Sequence, residues 1–104
     1  MQKELNKAFL KRYLLQEAKI STLAAMHEKD RQNSEYYNEQ ILECKKLRLK
    51  IEEKINTVND ETLRELLFQK YILGKTLEEI SLVINYSKRH TERLHRKALA
   101  QIGI

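Results

Sequence analysis

The sequence contains no proline, no tryptophan and only two glycines. Proline interrupts helices and glycine weakens them, so few residues in this chain would end a helix. A sheet protein of 104 residues would need several turns rich in glycine, proline, asparagine or aspartate, and such clusters are missing. With 34% charged and 41% hydrophobic residues, the chain is predicted to be all-α.

Cysteine and long apolar runs are also scarce. Cys44 is the only cysteine, which excludes an intramolecular disulfide and is typical of a reducing compartment. No apolar run approaches the roughly 18 residues of a membrane-spanning helix, so we expect no membrane partner. Lys3, Glu4 and Lys7 interrupt any apolar segment near the N-terminus, and no signal peptide is expected. The expected location is the cytoplasm.

Residues suited to catalysis or metal binding are few. His90 and His95 would lie about 140° apart around one helix, and His27 is distant in sequence. Cys44 falls within an apolar stripe and is predicted to be a core residue rather than a nucleophile. The sequence has no glycine-rich phosphate-binding loop. We expect no enzymatic activity, no cofactor and no metal site.

The first half of the chain, residues 1–58, predicts a long helical hairpin resembling a coiled coil. Residues 2–27 and 35–57 are predicted helices, and the polar stretch 28–34 is a predicted loop whose Ser34 caps the second helix. The broad apolar face of the first helix is assigned to Leu5, Phe9, Leu10, Tyr13, Leu14, Ile20, Leu23 and Ala24. The narrow stripe of the second helix has nearly heptad spacing and comprises Tyr37, Ile41, Cys44, Leu47, Ile51, Ile55 and Val58.

These unequal faces leave apolar surface without a partner inside the hairpin. We therefore expect residues 1–58 to mediate homo-oligomerisation, with a dimer favoured. The alternative is a monomeric bundle in which the remaining apolar surface meets the C-terminal region.

The second region, residues 59–104, predicts three short helices separated by strong end signals. Asn59 or Asp60 caps the first helix, and Gly74 stands where a left-handed residue ends it. Thr76 and Glu79 form a capping box for a helix over residues 77–84, whose Leu77, Ile80, Val83 and Ile84 point inward. After a break at residues 85–86, Ser87 caps a final helix over residues 88–102. This order is typical of a helix-turn-helix DNA-binding domain.

The final helix carries five basic residues and one glutamate within residues 87–98. At about 100° per residue, Thr91, Leu94, Ala98 and Ile102 share an inward face, with His95 near its edge. The predicted DNA-binding residues lie on the remaining surface and are Lys88, Arg89, His90, Glu92, Arg93, Arg96 and Lys97. Arginine can donate two hydrogen bonds to guanine, and flanking lysines neutralise phosphates. The alternative is a surface ion network among Arg89, Glu92 and Arg96.

At these residues the chain resembles region 4 of bacterial sigma-70 factors. The similarity covers about a third of the chain and lies in Tyr71-Ile72-Leu73-Gly74, Thr76-Leu77-Glu78-Glu79-Ile80-Ser81, Tyr86-Ser87-Lys88-Arg89 and Arg93-Leu94-His95-Arg96-Lys97-Ala98-Leu99. Over its full length the chain is similar to small regulators from phages and prophages of Gram-positive bacteria, which have the ArpU- and RinA-type late-transcription regulators as neighbours.

The resemblance implies a DNA-binding transcriptional regulator. By position, Lys88, Arg89 and Arg93 match base-contacting residues of the family and Lys97 matches a backbone contact. Thr91 stands where the family often has an apolar β-branched residue. The sequence has no counterpart of sigma region 2, so promoter melting is not expected.

Three functional hypotheses follow from the sequence. The first is a sequence-specific regulator that binds double-stranded DNA through residues 88–102. The second is a protein-interaction module that uses the same fold to bind RNA polymerase or another phage protein. The third is a coiled-coil spacer, which would leave the clustered arginines without a role.

Overall fold

A computed structural model describes residues 2–102, which form helices and no strand. Residues 103 and 104, at the end of the predicted second region, lie outside the described residues. The helices are α1 (Gln2–Lys29), α2 (Ser34–Asn56), α3 (Glu61–Leu67), α4 (Leu77–Ile84) and α5 (Lys88–Gln101). A 3-10 turn over Arg31–Asn33 joins α1 to α2, and a π-helical segment over Phe68–Ile72 extends α3. The predicted all-α fold, a long hairpin followed by three short helices, is confirmed.

The hairpin turn is tighter than the predicted loop. Helix α1 continues through Lys29, and only Asp30 separates it from the 3-10 turn. Ser34 is the first residue of α2, so its predicted capping role is wrong. Its hydroxyl donates to the carbonyl of Arg31 at 2.9 Å and bonds Nε2 of His27 at 2.8 Å, which ties the two helices together at the turn.

The apolar stripe predicted for α2 is confirmed. Tyr37, Cys44, Ile51 and Ile55 are buried, and Val58 is buried just beyond the helix. Ile41 and Leu47, which complete the stripe, are half-buried. A single narrow line of residues therefore carries the contacts of α2, and Cys44 is a core residue as expected.

The face predicted for α1 is wrong in part. Its buried residues are Asn6, Leu10, Tyr13 and Gln16, which recur at spacings of four, three and three and so share one side of the helix. Leu5 and Leu14, which were expected inside, are exposed. The reason is tertiary: the N-terminal half of α1 packs against the C-terminal helices as well as α2, and these partners determine which side is covered.

The two regions share one hydrophobic core. From α1 it includes Leu10 and Tyr13, and from α2 it includes Ile51 and Ile55. Val58 joins the cluster from just beyond α2, and the C-terminal region contributes Leu63, Leu67, Tyr71, Ala98, Leu99 and Ile102. The division at residues 58 and 59 therefore marks a change of pattern in the sequence, while the packing across it is continuous.

Candidate nucleic-acid interface

Three local signals set the position of α5 relative to α4. The Thr76 hydroxyl accepts a hydrogen bond from the Glu79 amide at 3.1 Å, and the Glu79 carboxylate accepts one from the Thr76 amide at 3.0 Å, which completes the predicted capping box. Asn85 then adopts a left-handed conformation with φ of 60° and ends α4. Ser87 accepts from the His90 amide at 3.1 Å and starts α5. The two helices are thus joined by a short turn with defined ends.

The inward face of α5 is more polar than its sequence suggests. Thr91, Ala98 and Ile102 are buried as predicted, while Leu94 is only half-buried. The Thr91 hydroxyl donates to the Ser87 carbonyl at 2.9 Å, so a buried polar group is satisfied within the helix. This hydrogen bond leaves the Thr91 methyl group for packing and explains how threonine fits at a buried position of α5.

His95 is a core residue, although it was expected near the edge of the inward face. Its Nε2 lies 2.6 Å from the Tyr71 hydroxyl, and the two rings stack with centroids 5.8 Å apart. Burial lowers the pKa of His95 to about 4, and the positive charges of Lys70, Lys7 and Arg96 act in the same direction. Burial also raises the pKa of Tyr71. Both groups are therefore neutral at pH 7, and their hydrogen bond anchors α5 to the π-helical segment.

Asn6 fixes the C-terminal end of α5. Its side-chain amide is fully buried and donates to the carbonyl of Leu99 at 2.6 Å and to that of Ile102 at 3.4 Å. The last carbonyls of a helix have no partner within the helix, so a donor from another element is valuable there. Sequence reasoning missed Asn6, because a polar residue inside an apolar face gives no sign of which distant group it bonds. The signal was its spacing of four and seven from Leu10 and Tyr13.

The opposite side of α5 is a basic surface. Lys88, Arg89, Arg93, Arg96 and Lys97 are all exposed, while His90 and Glu92 are half-buried. His90 packs edge-on against the Tyr86 ring at 4.7 Å between centroids. Within residues 2–102, none of these basic side chains forms an ion pair with Glu92 or another carboxylate. The ion network that the spacing also allowed is not formed, and the cationic groups remain available to an external anion.

The three arginines of α5 lie on the same side of the helix. At about 100° per residue, Arg93 lies about 40° around the axis from Arg89, and Arg96 about 20° on the other side of it. All three therefore lie within an arc of about 60°, on the side of α5 away from buried Ala98 and Ile102. A helix with this arrangement can present several guanidinium groups to one groove of a nucleic acid.

Other kinds of site find no support in the described part of the chain. Residues 2–102 contain no group of three or more histidine, cysteine, aspartate or glutamate side chains placed to hold a metal ion. None of the helices there has the length and apolar character needed to cross a bilayer.

Comparisons with known proteins return no match for this chain among protein-family models, curated proteins or solved structures. The resemblance to sigma-70 region 4 therefore remains a prediction carried by the residues that suggested it.

Proposed function

We propose that this protein is a sequence-specific DNA-binding transcriptional regulator that inserts α5 into the major groove of double-stranded DNA. The observation that carries the proposal is the division of α5 into two faces. One face is held in the core through Thr91, His95 and Ala98, and the other exposes five basic side chains that have no ion-pair partner among the described residues. Core anchoring suits recognition, because base reading requires side chains presented from a fixed backbone.

The proposed roles follow from position along α5. In helix-turn-helix proteins, the N-terminal part of the second helix contacts base edges. Arg89 and Arg93 are assigned to guanine O6 and N7, with Lys88 and Glu92 beside them and His90 adjacent. Arg96 and Lys97, closer to the C-terminus of the helix, are assigned to phosphates.

The proposal includes a homodimer formed through the hairpin, which would place two α5 helices on one DNA molecule. Several large apolar side chains of α1 and α2 are exposed, namely Leu15, Met26, Leu42 and Leu49. A second copy could cover some of these side chains, and two half-site contacts would then combine into one higher affinity. The phage or prophage origin and the cytoplasmic location belong to the same proposal and are supported by the resemblance and by the composition.

The test is selection of bound sequences from random DNA duplexes, followed by affinity measurements on the best and scrambled sites. Arg93→Ala should reduce the preference for the selected site by about fivefold or more, because one bidentate arginine–guanine contact discriminates by about 1–3 kcal/mol. Arg31→Ala is the matched control, since Arg31 lies at the far end of the hairpin and pairs with Glu28. Unchanged discrimination by Arg93→Ala would refute the assigned reading face, and retention without enrichment of a motif would refute sequence specificity.

A second candidate function is a protein-interaction module that binds RNA polymerase or another phage protein. The observation that favours it is an exposed apolar group on and beside α4, formed by Leu82, Val83 and Tyr86. Leu82 is 81% exposed, and contiguous exposed apolar side chains are typical of protein-interaction sites. Salt dependence separates the two functions. DNA binding that neutralises several phosphates weakens steeply with added salt, whereas absence of DNA binding at low salt favours the protein partner.

A further inference from the structure

A cleft between α1 and the turn before α4 is lined by lysines. It has a volume of about 250 Å³, and its walls include Lys11 and Leu14 from α1 and Lys70, Tyr71 and Lys75 from the C-terminal region. No carboxylate is among its lining residues. The cleft exists only because the hairpin and the C-terminal helices pack together, so neither region forms it alone.

Lys7 extends this group of positive charges along α1. Lys7 and Lys11 are four residues apart and therefore lie one above the other on the same side of the helix. The pKa of Lys70 is lowered first by burial and then by the positive charges of Lys7 and Lys11. Three lysines from two distant parts of the chain are thus close enough to repel one another.

Carboxylates do not compensate this repulsion. Within residues 2–102, no ion pair involves Lys7, Lys11 or Lys70. Glu79 interacts electrostatically with Lys75 rather than with these three lysines, and its carboxylate accepts hydrogen bonds from the amide and hydroxyl of Thr76. Like charges gathered without a counterion oppose folding, and an external anion would relieve that repulsion.

The lysine group also borders α5. The positive charges of Lys7 and Lys70 lower the pKa of His95, as does the charge of Arg96, the next residue of α5. Tyr71 connects the two places directly, since it lines the cleft and bonds His95 at 2.6 Å. The lysine group therefore lies on the side of α5 that carries His95, which Arg96 follows in the sequence.

We propose that Lys7, Lys11 and Lys70 bind phosphate groups of the DNA backbone, so that α1 forms part of the nucleic-acid surface beside α5. This inference rests on the proposed DNA-binding function and extends it to the hairpin. The phosphates of a DNA strand are regularly spaced, so one strand can contact several lysines of a line at once. A single small anion cannot do so. Lysine acts as a point charge for phosphate and does not read bases, so these contacts add affinity without adding sequence preference.

The experiment compares the binding of labelled DNA duplexes by wild-type protein and by Lys7→Gln/Lys11→Gln/Lys70→Gln over a range of salt concentrations. Each lysine that neutralises a phosphate contributes about 0.9 to the slope of log affinity against log salt. The triple variant should therefore show a slope shallower by about two to three. Its affinity should fall by the same factor, roughly tenfold or more at moderate salt, for the selected and the scrambled duplex.

The matched control is Lys19→Gln/Lys29→Gln/Lys45→Gln, which removes the same charge from hairpin positions that do not line the cleft. It should keep a slope within about one of the wild-type value. Equal slopes for the two triple variants would overturn the inference while leaving the proposed function intact. A change in the preference between duplexes would overturn the phosphate role, and failure of the wild-type protein to bind any duplex would overturn both proposals.

A second measurement does not depend on any variant folding. Acetylation of the wild-type protein, with and without duplex, reports the accessibility of each lysine. Lys11 and Lys70 should become protected when DNA is present, while Lys29 at the far end of the hairpin should react equally in both cases. Equal modification of Lys11 and Lys70 with and without DNA would overturn the inference.

Discussion

At the scale of single residues, the protonation of His95 is coupled to the stability of the folded chain, because His95 is buried where α5 packs. Its pKa of about 4 in the folded chain lies below the 6.5 of an unperturbed histidine. As the pH falls, the unfolded chain therefore takes up this proton first, and between about pH 6.5 and 4 it binds more protons than the folded chain. The contribution to stability is fully present above pH 6.5 and is lost as the pH falls towards 4.

We expect His95→Gln to reduce the loss of stability between pH 7 and pH 5. Glutamine cannot titrate in this range, and it keeps a polar group near the Tyr71 hydroxyl. The measurement is the urea midpoint at the two pH values, for wild type and variant. His90→Gln is the control, since it removes an imidazole from the same helix without touching Tyr71. If wild type and His95→Gln lose the same stability on acidification, His95 is not the group that titrates on unfolding.

At the scale of elements, the turn between the π-helical segment and α4 depends on Gly74. Its φ is +74°, in the left-handed region, and a Cβ atom added there would lie 3.3 Å from Cδ1 of Leu14. We expect Gly74→Ala to lower the free energy of unfolding by about 1–2 kcal/mol, mainly from the backbone conformation.

The double variant Leu14→Ala/Gly74→Ala separates the two causes in a urea titration. Leu14→Ala removes the close contact and leaves φ unchanged, so alanine at position 74 should still cost about 1 kcal/mol in that background. If the cost disappears in the Leu14→Ala background, the contact with α1 is the cause. Unchanged stability of the single variant would contradict both explanations.

The helix starts of the C-terminal region were predictable from the sequence, because they are determined locally, whereas the cap assigned to Ser34 was wrong. Asp60 accepts from the Leu63 amide at 2.9 Å, and Thr76 and Ser87 cap α4 and α5 as expected. These signals involve residues within three or four positions of each other. A pattern read along the sequence therefore contains all of their partners.

The apolar stripe of α2 was predicted correctly because its buried positions are all apolar. The buried side of α1 includes Asn6 and Gln16, and the group that Asn6 bonds lies 93 residues away in the sequence, so a pattern read along α1 does not show it. Val83 was expected inside α4 but is exposed, while Ser81 is buried with its hydroxyl donating to the Glu78 carbonyl at 2.6 Å. The lysine cleft was missed for the same reason, since its residues lie far apart in sequence and only tertiary packing brings them together.

At the scale of the whole molecule, the shared core makes the C-terminal region depend on the hairpin. Helices α3 and α5 pack on α1 and α2 through Leu10, Tyr13, Ile51 and Ile55, and Asn6 satisfies the carbonyls at the end of α5. Burying one large apolar side chain contributes roughly 1.5–3 kcal/mol. Four of them are comparable to the total stability of a small domain, which is about 5–15 kcal/mol. Part of this burial comes from the packing of α1 on α2, and the remainder, across the division at residue 58, stabilises α3 to α5.

We expect a fragment of residues 59–104 to have low helix content and to unfold without a cooperative transition. The measurement is the helix content, followed by circular dichroism at 222 nm during a urea titration, with the full chain as reference. The full chain should show one sigmoidal transition, because a single core joins both regions. A fragment that unfolds cooperatively at the same urea concentration as the full chain would show that the hairpin adds no stability. In that case the two predicted regions would fold as independent domains. The cleft would then lie where two folded domains touch, and it would not depend on a shared core.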